Sequence, residues 1–169
     1  DMVKTFNFYS GNVADVIFER LVQYDYLANP VKLVPATAQS LPVIEKNGQV
    51  YTFKIKSGIY FTDDPAFKGK RRELVAEDYV YSIKRILDPK NHAPSFSFID
   101  NKLVGANALV DQANKTGHFN YDAKIEGVKA LDKYTIQFKL TQPDYNFPYI
   151  LAYSTFGATA REVVEYYKD

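Results

Sequence analysis

Apolar residues recur at helical spacing near the start of the chain. Val13, Ile17 and Leu21 fall on one face of a helix that the pattern predicts over residues 13–22. Asn12, directly before this stretch, has the side-chain acceptor that helix N-caps use. The segment therefore predicts a helix with one apolar face.

A second helix is predicted over residues 76–87, where Tyr79, Ile83 and Ile86 make an apolar stripe. The dipeptide Asp88-Pro89 ends the pattern, because proline cannot continue a helix. Less regular patterns predict three further helices, near residues 104–114, 146–154 and 159–168.

Strict alternation of apolar and polar residues predicts strands that are buried on one face. In residues 50–56, Tyr51, Phe53 and Ile55 point one way and the polar residues between them point the other way. Asn47-Gly48, just before this strand, is a hairpin-type turn signal. Further strands are predicted at residues 59–61, 125–131 and 134–140.

These elements favour an α+β fold over a doubly wound parallel sheet, because hairpins and separate helices are mixed along the chain. Asp132-Lys133 lies between the last two strands as a two-residue hairpin link without glycine. Residues 24–42 contain three prolines and predict an irregular or extended connection. Residues 64–75 predict a charged loop.

The composition allows a hydrophobic core but indicates no charged macromolecular partner. The chain has 169 residues, enough for one domain, of which 46% are hydrophobic and 24% charged. The net charge of +1 gives no field that favours nucleic acid or an anionic membrane. A basic run is interpreted as a solvated loop rather than a phosphate site, and it consists of Lys68, Lys70, Arg71 and Arg72.

Motifs for catalysis, metals and cofactors are absent from the sequence. His92 and His118 stand in loop-like contexts without a partner at ligand spacing and are interpreted as surface residues. Asp63-Asp64 is interpreted as a turn rather than a cation site. Glu77-Asp78 is interpreted as a helix start that favours carboxylates rather than a catalytic pair. We therefore expect no enzyme activity and no cofactor.

The chain contains no cysteine, which excludes a disulfide scaffold, a thiol nucleophile and cysteine-ligated zinc. No stretch approaches the roughly 20 apolar residues of a membrane-spanning helix. The first four residues, Asp1 to Lys4, do not resemble a signal peptide, and we expect that both ends belong to a longer chain.

Four blocks of sequence resemble extracellular solute-binding protein family 5, the oligopeptide- and dipeptide-binding proteins of bacterial ABC importers. They keep the order and approximate spacing of that family. The blocks are FERLVQYD (18–25), LVPATAQSLPVIEKNGQVYTFKIKSGIYFTDD (33–64), VAEDYVYSIKRILDP (75–89) and GVKALDKYTIQFKLTQPDYNFPYIL (127–151).

The resemblance implies a periplasmic-binding-protein type II fold, in which two lobes close on a ligand. Residues 1–169 are then expected to form a single domain, a fragment of the first lobe with a small antiparallel sheet and packed helices. The second lobe is expected to lie outside this sequence. The resemblance also implies a periplasmic or lipid-anchored extracytoplasmic protein whose partner is an ABC permease of the inner membrane. We expect a monomer that does not bind nucleic acid.

The sequence departs from the family pattern at two points. Asp64 stands where the family usually has glycine, and the short turn that follows is replaced by the longer segment 64–74. Val75 stands where the family has a threonine that caps the next helix. Because the valine side chain cannot accept a hydrogen bond, another group must cap this helix or its first turn frays.

Alignment with the family places two segments near a ligand. From the segment before the first helix we predict ligand contacts for Phe6, Phe8 and Tyr9, with Asn7 and Ser10 beside them. From the loop after Asp88-Pro89 we predict contacts for Phe98 and Asn101, with Phe96 beside them. The alternatives are that the phenylalanines are core residues and that Asn101 forms a turn or caps a helix.

Two functions from different classes are compatible with these features. The first is a receptor that binds short peptides and delivers them to a permease. Oligopeptides are the first choice and dipeptides the second, while a nickel chelate, haem, an opine or a sugar stays possible by resemblance to relatives. The second is an interaction domain that recognises a permease or envelope protein and has no small ligand of its own, for which the 14 tyrosines could supply contacts.

Overall fold

The computed structural model describes residues 2–4 and 8–168. Within them, helices alternate with two antiparallel sheets, as expected for an α+β fold. The α-helices are α1 (Phe8–Ile17), α2 (Ala76–Leu87), α3 (Ala106–Thr116), α4 (Phe147–Ile150) and α5 (Arg161–Tyr166). The strands are β1 (Val22–Tyr24), β2 (Leu33–Pro35), β3 (Val43–Glu45), β4 (Val50–Lys54), β5 (Val128–Asp132) and β6 (Thr135–Lys139).

The larger sheet has the strand order β3-β4-β6-β5, and all its neighbouring strands are antiparallel. Tyr51 pairs with Phe138 and Phe53 with Ile136, so that alternate residues of both strands point into the core. The alternation predicted for residues 50–56 is confirmed, since Ile55 is also buried and forms a bridge with Ala38, but the strand itself ends at Lys54.

Three strand predictions need correction. The last hairpin link is Lys133-Tyr134, because Asp132 still pairs with Thr135 and its side chain accepts a hydrogen bond from the Tyr134 amide at 2.8 Å. This aspartate turn replaces the glycine that hairpins usually need. Strand β5 begins three residues later than predicted, and residues 59–61 form only one bridge, between Tyr60 and Glu73.

Helix α2 has the predicted bounds, and its predicted apolar stripe is buried. No side chain takes the place of the missing threonine cap at Val75, but other acceptors satisfy the amides at the helix start, and the Asp78 amide donates to the Val75 carbonyl at 3.1 Å. The Asp78 carboxylate accepts a hydrogen bond from the Val75 amide at 2.8 Å, and the Lys133 carbonyl accepts one from the Ala76 amide at 2.9 Å. The first turn is therefore closed by its own third residue and by the β5–β6 link.

Arg72 joins this helix start to the end of the chain. Its guanidinium makes a bidentate contact with the buried Asp78 carboxylate, at 2.6 and 3.1 Å, and its Nε donates to Glu162 at 2.8 Å. Burial raises the pKa of the Asp78 carboxyl, and the Arg72 guanidinium opposes this shift. The interpretation of the basic run as solvated is thus wrong for Arg72, whereas its neighbour Arg71 is exposed.

The first helix differs most from its prediction. Helix α1 covers Phe8–Ile17, so Asn12 lies inside it and does not cap it. Leu21 leaves the helix because its carbonyl accepts hydrogen bonds from the amides of Ala36 and Ala38. Sheet-type pairing therefore takes over part of the predicted helix. Val13 and Ile17, which were predicted to share an apolar face with Leu21, are 57% and 63% exposed.

The other local predictions differ mainly in length. Helix α3 begins two residues later than predicted, and α4 and α5 are shorter than the segments 146–154 and 159–168. Asp64 confirms the turn interpretation, because its carboxylate accepts a hydrogen bond from the Ala66 amide at 2.8 Å. No helix in the described ranges is long and apolar enough to span a bilayer.

The Arg72 contact predicts a marked loss of stability on truncation. Arg72→Ala leaves the Asp78 carboxylate buried without its cation, and we expect the free energy of unfolding to fall by about 3 kcal/mol. The matched control is Arg71→Ala, which removes only an exposed contact 3.9 Å above the Tyr60 ring and should cost less than about 1 kcal/mol. Urea unfolding of both variants measures the difference, and equal losses would contradict the role given to Arg72.

Glu73 links the loop at Gly58 to the β5–β6 hairpin. Its carboxylate accepts hydrogen bonds from the Gly58 amide at 2.7 Å, Lys133 Nζ at 2.7 Å and Tyr134 Oη at 3.0 Å. The Lys133 bond, followed by those from Gly58 and Tyr134, lowers the pKa of Glu73 to about 2. The folded state therefore favours the ionised carboxylate.

A pH dependence follows from this lowered pKa. The stability that ionised Glu73 contributes is present above the ordinary glutamate pKa of about 4.3 and is lost as the pH falls toward 2. We expect Glu73→Gln to lower the urea midpoint at pH 7 and to lower it less at pH 2.5. In a Lys133→Met background this pH-dependent difference should shrink, and an unchanged difference would show that Lys133 is not its main cause.

Candidate functional site

Four aromatic rings form a partly exposed cluster, which we call the aromatic platform and define as Tyr24, Phe98, Tyr149 and Tyr153. Phe98 stacks on Tyr153 with 5.4 Å between ring centroids and 8° between planes. Tyr24 lies 6.2 Å from both Tyr149 and Tyr153, tilted to the first and edge-on to the second. The platform brings together residues that are up to 129 positions apart in the sequence.

Buried neighbours along the chain hold these rings in place. Phe147 is fully buried between Tyr51 and Phe138, with centroids 5.6 and 5.3 Å away, and fixes the short helix that carries Tyr149. Ile99, next to Phe98, is also fully buried. Tyr149, two residues after Phe147, and Phe98, directly before Ile99, are therefore held at the surface by backbone that these buried side chains fix.

The platform combines apolar faces with hydrogen-bonding groups. Phe98 and Tyr153 are 42% and 47% exposed, so a ligand could lie against their rings. Tyr24 Oη donates to the Tyr149 carbonyl at 3.0 Å. Burial, together with the neighbouring phenols of Tyr153 and Tyr149, raises the pKa of Tyr24 to about 12. The phenol consequently stays neutral over the physiological range, and because its one O–H is donated to Tyr149, its oxygen can accept a hydrogen bond from a ligand.

Of the predicted ligand residues, Phe98 belongs to this platform. Phe6 and Asn7 lie outside the described residues. Phe8 begins α1, but its side chain is not among those described. Tyr9 follows on α1 and is 82% exposed. Its role, like that of the other predicted ligand residues, stays a prediction.

Asn101 lies three residues after Phe98, next to the loop that follows β6. Its backbone is left-handed with φ of 57°, and its carbonyl accepts a hydrogen bond from Thr141 Oγ1 at 2.7 Å. Its side-chain oxygen accepts a hydrogen bond from Asn107 Nδ2 on α3. Asn101 therefore forms a turn, as the alternative interpretation expected, and a ligand role in addition stays a prediction.

Sequence reasoning missed Tyr24, Tyr149 and Tyr153. The resemblance identified the loop that contains Phe98 but gave no reason to pair it with strand β1 or with the segment after α4. The only available signal was the high tyrosine content, which indicates partly wet aromatic surfaces without locating them.

The platform is not accompanied by a metal-binding group in the part of the chain that the structure describes. In residues 2–4 and 8–168, no group of three or more His, Cys, Asp or Glu side chains is arranged to hold a metal ion. His92 adopts a left-handed conformation at the end of a short 3-10 turn, and His118 is exposed beside Thr116. The platform can bind by stacking and hydrogen bonding, without a charged group of its own.

Comparison with known proteins gives a family match over most of the chain. The sequence model of the family described as bacterial extracellular solute-binding proteins, family 5 Middle, matches residues 32–168. The oligopeptide-binding protein AmiA of Streptococcus pneumoniae is 35% identical over 125 residues, which cover 73% of this chain and 17% of the relative. The peptide transport periplasmic protein SapA of Salmonella typhimurium is 29% identical over 152 residues, covering 85% and 24%. The chain thus spans a quarter or less of the length of these relatives.

Solved structures share the fold over the whole chain. Haemophilus influenzae OppA in complex with RPPGFSPFR has a TM-score of 0.78 and 25% identity, covering 100% of this chain and 30% of the other. Listeria monocytogenes OppA bound to peptide has a TM-score of 0.76 and 24% identity, covering 98% and 29%. The predicted α+β fold of small antiparallel sheets with packed helices is confirmed.

The turn at Asn101 allows its structural role to be separated from a ligand role. Asn101→Gly keeps the left-handed backbone and removes the amide, whereas Asn101→Ala introduces a side chain that disfavours positive φ. We expect the alanine variant to be about 1 kcal/mol less stable than the glycine variant in thermal or urea unfolding. Equal stabilities would mean that the loop adopts another conformation. If the expected difference is found, the glycine variant keeps the loop and is the suitable background for ligand tests.

Proposed function

The chain belongs to the bacterial extracellular solute-binding proteins of family 5, and from this membership we propose that it is part of the peptide-binding component of an ABC importer. The receptor binds oligopeptides, or dipeptides as the second choice, outside the cytoplasmic membrane. It then delivers them to a membrane permease. In this proposal the receptor is a monomer that carries out no catalysis and binds no nucleic acid.

The observation that supports this proposal is the aromatic platform. A receptor for many peptides needs contacts that do not depend on one side chain, and flat rings provide such contacts to apolar side chains and to peptide planes. The neutral phenol of Tyr24 adds a hydrogen-bonding group at the same surface. The relatives named as oligopeptide-binding or peptide transport proteins support the same ligand class.

We further propose that residues 1–169 are one domain of a longer two-lobed receptor and contribute one wall of its cleft. The solved relatives are about three times as long as the part that this chain covers. In this arrangement Phe98 contacts the ligand directly, and the predicted residues Phe6, Phe8, Tyr9 and Asn101 line the same wall. Hinge closure of the second lobe then buries the peptide.

A second candidate function is an interaction domain that recognises the permease. The link between β1 and β2 exposes three apolar side chains, with Tyr26 96%, Leu27 87% and Val31 61% accessible. Apolar side chains that protrude from a hairpin are suited to docking against another protein. Unlike the receptor, an interaction domain of this kind does not respond to a small ligand.

Peptide binding by the complete receptor tests the proposal. We expect pools of short peptides to raise its melting temperature, because a ligand that binds only the native state stabilises it by mass action. Tyr153→Ala removes the ring that stacks on Phe98 and should weaken binding about tenfold in titration calorimetry.

The control is Tyr166→Ala, which removes another exposed tyrosine, on α5 outside the platform, and should leave affinity unchanged. No stabilisation by any peptide pool would refute the peptide receptor and favour the interaction domain. Binding that Tyr153→Ala leaves intact would keep the receptor but remove the platform from its site.

A further inference from the structure

A cavity of about 420 Å³ lies between helix α2, strand β5 and the segment 121–126. It shares no lining residue with the aromatic platform, and its volume is within the range of small-molecule sites. Helix α2 and strand β5 supply two of its walls, and the loop before β5 supplies the third. Its chemistry is set by charged side chains rather than by rings.

Lys84 is the most deeply placed of these charged groups. The residue is only 5% exposed, and its Nζ donates one hydrogen bond, to the Tyr121 carbonyl at 2.7 Å. Within the described ranges no carboxylate lies within 4.0 Å of this ammonium, which has three N–H donors. Burial lowers the pKa of Lys84, and the carboxylates of Glu77 and Asp122, which are not in ion-pair contact with it, oppose this shift only in part. It can therefore accept a further anionic partner.

The lining carries three lysines and three carboxylates, but ion pairing divides them unevenly. Two of the three carboxylates are engaged by cations outside the cavity, since Asp122 pairs with Arg161 at 2.5 Å and Glu126 pairs with Lys139. Four lining charges have no ion-pair partner among the described residues, and they are Lys84, Lys124, Lys129 and Glu77. Three unpaired ammonium groups and one unpaired carboxylate thus remain, so the lining can accept a ligand that has more anionic than cationic groups.

The position of Glu77 adds a second requirement. It lies seven residues before Lys84 on α2, which is two turns or roughly 10 Å along the helix axis. The two side chains do not form an ion pair, and burial raises the pKa of Glu77 although the charge of Lys84 opposes this shift. A ligand that carries both carboxylate and ammonium groups could satisfy both residues at once.

We propose that this cavity binds a free acidic amino acid, a ligand with two carboxylates and one ammonium group. One carboxylate binds Lys84 at the base of the cavity, and the other binds Lys124 and Lys129 at its mouth. The ammonium group binds Glu77. The ligand then complements all four unpaired charges. This site is additional to the peptide-binding surface and does not depend on it.

Titration calorimetry of the complete protein with L-glutamate and with glutarate tests the proposal, because glutarate has the two carboxylates but no ammonium group. We expect glutamate to bind and Lys84→Gln to weaken binding at least about tenfold. Glu77→Gln should weaken binding of glutamate and leave that of glutarate unchanged. Since Lys84 is buried, the exposed double variant Lys124→Gln/Lys129→Gln provides a second test with little risk to folding, and it should also weaken glutamate binding about tenfold.

The matched control is Lys115→Gln, an exposed lysine on α3 away from the cavity, which should bind glutamate normally. The proposal is overturned if glutamate gives no binding heat, if the lysine variants bind it unchanged, or if Glu77→Gln affects both ligands equally. Tyr153→Ala must leave glutamate binding intact. If it abolishes that binding, the amino acid occupies the aromatic platform and the cavity proposal fails, whatever the result with peptides.

Discussion

The burial of helix α2 on nearly all sides is the constraint on which the rest of the structure depends. Eleven of its twelve residues are buried, including Asp78, Lys84 and Arg85. A buried charge is costly unless it is paired and hydrogen-bonded, so the surrounding segments must supply partners. Asp78 obtains the bidentate Arg72, which in turn connects the loop before α2 to α5 through Glu162. Pairing of one carboxylate thereby ties together segments that are about 90 residues apart.

How far the fold could be predicted depends on whether local pattern and tertiary pairing agree. They agree in α2, where the apolar stripe, the acidic start and Asp88-Pro89 specify the same bounds, and in β4, where alternation matches the pairing with β6. They disagree at Leu21, which has helical spacing from Ile17 but pairs through its carbonyl with the segment at Ala36 and Ala38. A periodic pattern cannot reveal that a distant segment competes for the same backbone groups.

The candidate site could be predicted only in part, for a related reason. The family resemblance identified Phe98 because its loop follows a recognisable helix stop. The ring beneath it, Tyr153, is 55 residues away and is positioned by buried Phe147 and Leu151 rather than by a motif. Two exposed rings that stack on each other produce no periodic pattern in the sequence from which their contact could be predicted. The start of α2 was predicted more fully, because valine in place of threonine leaves the Asp78 amide without a side-chain acceptor, and the Val75 carbonyl accepts its hydrogen bond instead.

Asp78 and Lys84, in the first and last turns of α2, are both buried but differ in their hydrogen bonding. Burial of Asp78 stabilises the fold, whereas burial of Lys84 leaves donors that a ligand could use. Asp78 is saturated by Arg72 and by the Val75 amide, so a ligand has nothing to add there. Lys84 is equally buried but has one carbonyl partner, and the nearby acid Asp122 is already paired with Arg161. A buried cation with unused donors is a local departure from the rule that buried charges are fully satisfied, and such departures concentrate where proteins bind ligands. The difference in pairing between Asp78 and Lys84, rather than their similar burial, is therefore the reason for placing the proposed amino-acid site at Lys84.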